Sequence, residues 1–427
     1  MDHMILALQE YLDSAHSVYH AVAGVVWALE ADGYVQLREQ ESWKLFPGGK
    51  YYVTRGDSAV MAFRLPDAEP EGFMMAAAHA DRPTFKWKEN GELVGAYTRL
   101  AVEKYGGMLM APWLDRPLSL AGRVLVETEE GVESRLVDLD KDLFMIPNVA
   151  IHMNRKANEG YAWNPAVDML PLAGSKAAAG RLGELLREAA GVEILGHDLF
   201  LYVRQNAVRW GLENEYLSAQ ALDDLGCVWC AMQGFLAADE SRSVPVLCVF
   251  DSEEVGSQTA QGAASGLLED VLERICKDRN WELKQLLSQS FMLSADNAHA
   301  IHPNHPEFAD PNNAPTVNGG VVLKFNANQR YTTDGVSAAI FRKVCGRAGV
   351  KEQTYCNRAD IAGGSTLGNI SLSHVAVPSA DIGLPQLAMH SCYETVGVRD
   401  VQDMVRLMTA YYSASLICPA DGSFVLE

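Results

Sequence analysis

Two adjacent glutamates, Glu253 and Glu254, follow the apolar stretch Val244–Phe250. That stretch is rich in valine and lacks helical spacing, so it predicts a buried strand. Carboxylates at the end of a buried strand are costly to remove from water unless a cation balances them. Because neighbouring side chains point in different directions, one glutamate can ligate a metal while the other transfers a proton. A solvated loop is the alternative for an isolated glutamate pair.

Other predicted elements also begin or end with groups that can bind metals. The stretch FMMAAA, residues 73–78, leads directly into His79 and Asp81. Residues two apart on extended backbone face the same way, so Asp81 can orient the ring of His79 and leave one nitrogen for a metal. The full set of such residues is His79, Asp81, Asp223, Glu253, Glu254, Asp296 and His390.

These residues predict one shared site, because the carboxyl ends of strands in an open α/β sheet meet at one crevice. Two imidazoles and three carboxylates without a thiolate suit a pair of zinc-like ions, with one carboxylate bridging them. Simpler explanations exist for single residues. His79 and His390 are also compatible with hydrogen-bonded core histidines, and Asp223 with a helix-capping residue.

The elements that must position these residues alternate between helices and strands at both ends of the chain. Residues 4–31 predict two amphipathic helices. Later helices are predicted at Ala177–Ala190, Ala219–Phe235, Ser265–Trp281, Gly335–Ala348 and Asp400–Leu416, and later strands at Val244–Phe250, Val321–Ala327 and His374–Val377. From about 84 to 207 the pattern is mainly short strand-like runs separated by turns. A chain of 427 residues exceeds the roughly 250–300 that one core serves, so we expect two domains.

Composition argues against several classes of protein. The net charge of −20, from 55 acidic against 35 basic residues, disfavours general nucleic-acid binding. Eight scattered cysteines fit buried thiols in a reducing compartment, and the lone pair Cys227 and Cys230 fits helix packing. The N-terminus lacks the features of a signal peptide, and no apolar run approaches the ~18 residues that cross a bilayer. We therefore expect a cytoplasmic protein that binds neither nucleic acid nor membrane.

The sequence resembles the aspartyl aminopeptidase family of zinc-dependent exopeptidases almost from end to end. The motifs that carry the resemblance are AAHADRPTFKWK (77–88), YGGMLMAPWLDRPLSLAGRV (105–124), IPNVAIHMNR (146–155), ALDDL (221–225), FDSEEVGSQTAQGA (250–263), SADNAHAIHPNHPE (294–307), KFNANQRYTTDG (324–335), NRADIAGGSTLG (357–368) and DIGLPQLAMHSCYE (381–394). Nine long motifs in the family's order make a chance match improbable.

The resemblance implies a dinuclear metal centre. His79 and Asp296 are expected to bind one divalent ion, and Glu254 and His390 the other, with Asp223 bridging the two. Zinc is the expected metal, with manganese or cobalt as alternatives.

The resemblance also implies roles for residues around the metals. Asp81 is expected to orient His79, and Glu253 to act as the general base. His152 is expected to reach into the active site of a neighbouring subunit and stabilise the tetrahedral oxyanion; a loop histidine without a catalytic role is the alternative. Lys324 is expected to meet an acidic substrate side chain, although it could be a solvated strand lysine. Arg82 departs from the family pattern, which has a small polar residue there, so substrate preference could be shifted.

The implied fold is α/β: a three-layer, zinc-exopeptidase-like catalytic domain formed by residues 1–83 and 208–427, with an inserted β-rich dimerisation domain at 84–207. Family members form dimers and then a tetrahedral dodecamer, whose enclosed active sites admit short peptides. The expected activity is removal of N-terminal Asp or Glu. The alternatives are the same chemistry with broad or neutral specificity, and a catalytically silent assembly or cargo protein.

Overall fold

The computed structural model describes residues 2–427. The first part of the chain forms two helices and four strands. Helices α1 and α2 pack with apolar faces against the interior, and Ser17 caps the start of α2 through its side chain. These elements are α1 (Asp2–Ser14), α2 (Val18–Ala31), β1 (Val35–Gln36), β2 (Lys50–Arg55), β3 (Ala59–Arg64) and β4 (Phe73–His79).

The middle of the chain forms a separate antiparallel sheet of six strands with its own apolar core, which includes Phe85, Trp113 and Leu199. Its elements are β5 (Thr84–Val94), β6 (Tyr97–Tyr105), β7 (Leu118–Thr128), β8 (Gly131–Asp138), β9 (Leu172–Ser175), α3 (Arg181–Ala190) and β10 (Ile194–Val203). The strand order is β8-β7-β10-β5-β6-β9. The long hairpins β5–β6 and β7–β8 follow from the alternating apolar pattern of this region.

The last part of the chain returns to alternating helices and strands. Its elements are β11 (Val208–Trp210), β12 (Tyr216–Ala219), α4 (Leu222–Ala237), β13 (Val244–Phe250), α5 (Leu267–Arg279), α6 (Leu283–Leu287), β14 (Phe291–Ala295), β15 (Ala298–His299), β16 (Val321–Phe325), α7 (Gly335–Ala348), β17 (Glu352–Cys356), α8 (Leu367–Ser371), β18 (Ser379–Gly383), β19 (Pro385–Leu387), β20 (Glu394–Gly397), α9 (Val398–Tyr412), β21 (Leu416–Ala420) and β22 (Ser423–Leu426). The strands β11, β12, β20, β19 and β15 form a smaller five-stranded sheet.

A nine-stranded sheet joins the first and last parts in the order β1-β2-β3-β13-β4-β14-β18-β16-β17. Strand β4 is buried on both faces: Met74 and Ala76 pack toward α1, α2, α4 and α9, whereas Met75 and Ala77 pack toward α5 and α6. Helices therefore cover both sides of the sheet, and the predicted three-layer α/β class is confirmed.

The centre of this sheet positions the candidate site. Strands β4, β13 and β14 run parallel, and Phe250 of β13 pairs with His79 of β4. Parallel neighbours end at the same edge, so the residues that follow them converge there.

Two predicted elements near the C-terminus are wrong. Residues 374–377 form no strand; Val375 and Val377 are buried in the apolar cluster that also contains residues of α5 and α8, and the strand that enters the sheet, β18, begins after Pro378. The closing helix stops at Tyr412, because the following residues form the β21–β22 hairpin around Asp421 and Gly422.

Among residues 2–427, no helix has the length and apolar character needed to cross a membrane.

Candidate metal centre and active site

A cavity of about 180 Å³ opens at the carboxyl edge of the parallel strands, and we call it the metal cavity. It is bounded by the ends of β4, β13 and β14, the start of α4 and the loop before β20. The predicted site residues that line it are His79, Asp223, Glu253, Glu254, Asp296, Lys324 and His390.

His79 is buried and presents its two ring nitrogens to different partners. Its Nδ1 lies 3.1 Å from the backbone oxygen of Asp81 and 3.4 Å from Oδ1 of that residue. A carbonyl only accepts hydrogen bonds, so Nδ1 carries the proton and donates. The other nitrogen, Nε2, lies 3.7 Å from Oδ1 of Asp223 and keeps a lone pair that a metal can use.

Asp223 lies between the two imidazoles. Its second oxygen, Oδ2, is 3.5 Å from Nε2 of His390, and that nitrogen is 3.4 Å from Oε1 of Glu254. Two ligand groups therefore share Asp223: one also contains His79 and Asp296, the other Glu254 and His390, and in each group the ligand atoms lie within 4.8 Å of one another. Glu253 forms a third such group with His79 and Glu254.

The chemistry of these donors fits a bound cation. Oδ1 of Asp223 and Oε1 of Glu254 are buried and have no hydrogen-bond partner among residues 2–427. A buried acceptor without a partner costs roughly 1–3 kcal/mol. Burial, assisted by the neighbouring carboxylates, raises the pKa of Glu253 to about 8 and that of Glu254 well above its ordinary value. A metal ion bound here would satisfy the oxygens and balance the clustered negative charge.

Asp81 connects His79 to the turn that carries the two glutamates. Its Oδ1 accepts a hydrogen bond from the backbone N–H of Glu253 at 3.0 Å. Its Oδ2 accepts one from the N–H of Glu254 at 3.1 Å and one from the hydroxyl of Tyr105 at 2.8 Å. The backbone oxygen of Asp81 thus orients the imidazole, and its carboxylate holds the Glu253–Val255 turn in place.

Comparison with known proteins identifies the family to which this arrangement belongs. The family model of Aminopeptidase I zinc metalloprotease (M18) matches residues 11–412. The chain belongs to the M18 family of zinc metalloproteases. It is a metal-dependent aminopeptidase, and the resemblance noted in the sequence is confirmed.

Individual M18 relatives align over nearly the whole chain. The "Probable M18 family aminopeptidase 2" of Clostridium novyi (strain NT) is 40% identical over 422 residues, which cover 95% of this chain and 98% of the relative. The structure of the Ape4 and Nbr1 complex matches with a TM-score of 0.92 and 33% identity, over 96% of this chain and 85% of the other. The S. cerevisiae mApe1 dodecamer matches with a TM-score of 0.85 and 27% identity, over 96% and 97% of the two chains.

Lys324 lies on β16 of this M18 chain, at the wall of the metal cavity. It is only 2% exposed, so it is not a solvated strand lysine. Its Nζ donates to the backbone oxygen of Asp296 at 2.7 Å and lies 3.7 Å from Oδ2 of the same residue. Burial lowers the pKa of Lys324, but the carboxylates of Asp296 and Asp381 outweigh burial and the net shift is upward. Lys324 therefore stays charged at neutral pH.

Sequence reasoning missed Glu394, the first residue of β20. Its Oε1 accepts a hydrogen bond from the backbone N–H of His390 at 2.7 Å, and its Oε2 accepts one from the N–H of Asp223 at 2.9 Å. His390 has a φ of 64°, which is uncommon for a residue other than glycine, and Glu394 stabilises that conformation. The glutamate lies in the motif 381–394, but a single acid after Cys392-Tyr393 gives no local signal of this role.

His152 is not among the residues that line the metal cavity. It lies in an exposed turn between β8 and β9, far along the chain from the strands that form the cavity. Its neighbours Val149, Ile151 and Met153 are exposed apolar residues, and Met153 is 82% exposed. Within one chain His152 therefore does not contribute to the lining of the metal cavity.

Proposed function

We propose that this M18 aminopeptidase binds two divalent ions, with zinc as the expected metal, and hydrolyses the first peptide bond of short peptides. His79 and Asp296 would hold one ion, Glu254 and His390 would hold the other, and Asp223 would contribute to both. The observation that carries the proposal is the position of Asp223, whose two oxygens face different imidazoles at 3.7 Å and 3.5 Å. Ions bound there would lower the pKa of water and polarise the scissile carbonyl.

The chain's own residues position and move the proton. Glu253 lines the metal cavity without being needed to complete either ligand group that contains Asp223. It takes the proton from the attacking water and delivers it to the leaving amine, as a general base and then a general acid. Asp81 keeps Glu253 in place through its backbone N–H and keeps Nε2 of His79 free of a proton.

A preference for N-terminal Asp or Glu follows from the charge of Lys324. It is the one lysine or arginine among the described residues that line the metal cavity. An ammonium has three donors: Nζ of Lys324 uses one on the backbone oxygen of Asp296 at 2.7 Å and a second, weaker one on that of Asn297 at 3.4 Å, which leaves the third for a substrate. A substrate carboxylate in this buried cavity gains more from the ammonium than it would in water.

Broad or neutral specificity is the second candidate. It is favoured by the same contact between Nζ of Lys324 and the backbone of Asp296, which gives the lysine a structural role at the metal ligand. In that case Lys324 supports every substrate equally.

The proposed assembly uses the six-stranded sheet. We assign residues 1–83 and 208–427 to the catalytic domain and residues 84–207 to a dimerisation domain, and we expect dimers that assemble further into a tetrahedral dodecamer. The structural match to the S. cerevisiae mApe1 dodecamer supports this assembly. The exposed apolar side chains around His152 also support it, because a second copy would bury them. His152 then serves the neighbouring subunit's site, where its ring donates to the developing oxyanion.

The eight cysteines of the described chain are all free, and six of them are buried. Unpaired thiols are typical of a reducing compartment, which supports a cytoplasmic location.

A panel of aminoacyl chromogenic substrates tests the proposed function. We expect hydrolysis of Asp- and Glu-substrates to exceed that of Leu-substrates, to disappear with a chelator and to return with Zn²⁺, Mn²⁺ or Co²⁺. Glu253→Gln should lower kcat about 10²–10⁴-fold, the range of a general acid–base group, without loss of bound metal. A metal-independent activity, or a Glu253→Gln protein with normal kcat, would contradict the mechanism.

A further inference from the structure

A second cavity lies where the start of α2 and the loop after β13 meet the six-stranded sheet, and we call it the junction cavity. Its volume is about 250 Å³, and it shares no lining residue with the metal cavity. One water takes up roughly 30 Å³ in the liquid, so the junction cavity has room for a small organic molecule. Charged residues of both signs line it, including Arg82, Arg123, Asp198 and Asp251.

Arg82 gives this cavity a site for an anionic group. The residue is 8% exposed, and its Nη2 is buried without a hydrogen-bond partner in residues 2–427. Its Nη1 donates to the backbone oxygen of Ala15 at 2.8 Å, which places the guanidinium close to the start of α2. Ser17 and Val18 from that helix start also line the cavity. The first N–H groups of a helix have no acceptor within the helix, so they and Arg82 together favour a carboxylate.

Asp251 gives the cavity a site for a cationic group. Its buried carboxylate accepts a hydrogen bond from the backbone N–H of Ser252 at 2.6 Å, and it pairs with no lysine or arginine of the described chain. Lys86 and Arg123 are already engaged, because both pair with Asp198, at 2.6 Å and 3.0 Å. A buried carboxylate without a basic partner favours an ammonium ligand.

The junction cavity also contacts the catalytic turn. Asp81, which binds the backbone N–H groups of Glu253 and Glu254, lines this cavity, as does Tyr105, which donates to Asp81. Ser252 immediately precedes the general base and lines the cavity as well. A cationic group bound here would compete for the carboxylate of Asp81 and weaken its hold on the turn.

We propose that the junction cavity binds a free α-amino acid as a zwitterion, and that this binding lowers the turnover of the enzyme. Arg82 and the start of α2 hold the ligand's carboxylate, and Asp251 holds its ammonium group. An aminopeptidase releases free amino acids, so the site would sense the class of compound that the enzyme produces. No covalent step is involved.

L-Alanine is the probe for a kinetic test on the full-length, metal-loaded enzyme. We expect it to lower kcat saturably, by about fivefold, the lower end of typical coupling between sites. Propionate lacks the ammonium group and ethylamine lacks the carboxylate, so each should act at least about tenfold more weakly. Purely competitive inhibition by L-alanine, or equal effects of the three compounds, would overturn the proposal, because either result places the amino acid in the metal cavity or at no specific site.

Calorimetric titration with L-alanine on variants supplies an independent test. Arg82→Met and Asp251→Asn should each weaken L-alanine binding about tenfold or more, since each removes a charged partner. Lys88→Met is the matched control: it removes a positive charge from the same strand as Lys86, but from a position that does not line the cavity. Unchanged binding in Asp251→Asn would overturn the proposal even if Arg82→Met does not fold.

Discussion

Asp81 lines the junction cavity and binds the backbone of Glu253 and Glu254, which line the metal cavity, and the two cavities differ most in their balance of charge. The metal cavity has four carboxylates and one lysine in its lining, whereas the junction cavity has three carboxylates and three basic side chains. Bound cations stabilise a surplus of buried carboxylates, so the first cavity fits metal ions. A balanced lining with one free group of each sign fits a ligand that carries both charges.

The two cavities also differ in how their charged groups are held. In the metal cavity, two further carboxylates hold the backbone of the proposed ligands in place. Glu394 accepts hydrogen bonds from the N–H groups of Asp223 and His390. Asp81 accepts hydrogen bonds from the N–H groups of Glu253 and Glu254. Such support keeps the ligands pre-organised for metal. In the junction cavity, Nη2 of Arg82 has no hydrogen-bond acceptor and the carboxylate of Asp251 has no basic partner among the described residues. A bound ligand would supply both.

Removal of Asp223 should have the largest effect, because it is shared by both ligand groups. We expect Asp223→Ala to lose both ions and about 10³-fold or more in kcat/KM, since the metals supply several kcal/mol of transition-state stabilisation. Metal analysis of the purified protein should give two ions per chain for the parent and none for the variant. Asp239→Ala, at an exposed acidic residue, is the control. One ion retained at full occupancy would show that Asp223 does not bridge.

Substitution of Lys324 should have an intermediate effect that depends on the substrate. Lys324→Met keeps the length of the side chain but removes the ammonium. We expect kcat/KM for an Asp-substrate to fall about 10–100-fold more than kcat/KM for a Leu-substrate. This ratio corresponds to the free energy of one hydrogen bond between charged groups. The control is Lys343→Met, at an exposed lysine of α7. Equal losses for both substrates would favour neutral specificity and limit Lys324 to its contact with Asp296.

The parts of this structure that could be predicted from sequence are those with a local pattern. Continuous apolar runs predict β4 and β13, since strands buried on both faces need apolar residues at most positions. The apolar stretch at 374–377 has a similar composition, but its valines are buried beneath the sheet instead of pairing within it. Local composition does not separate these two cases.

The support around the site depends on contacts between distant parts of the chain. Glu394 contacts Asp223 from 171 positions away, and Tyr105 reaches Asp81 from a different sheet. Neither residue belongs to a spacing pattern, so sequence reasoning assigned them no role. The departure at Arg82 was visible in the sequence, but the cavity beside it exists only where α2 meets the six-stranded sheet.

Loss of the Tyr105 hydroxyl should have the smallest effect, and it tests whether the two cavities communicate. Tyr105→Phe removes one donor to Oδ2 of Asp81 and leaves the backbone bonds to Glu253 and Glu254. A hydrogen bond to a charged group contributes about 1.5–3 kcal/mol, so a partial loss should lower kcat about 3–10-fold with little change in KM or metal content. Tyr97→Phe, at an exposed tyrosine of the same strand, should behave like the parent enzyme.

Because Tyr105 lines the junction cavity and contacts Asp81, the Tyr105→Phe variant should also change the response to L-alanine. A Tyr105→Phe enzyme with reduced kcat but an unaltered L-alanine response would show that the hydroxyl supports catalysis without linking the cavities.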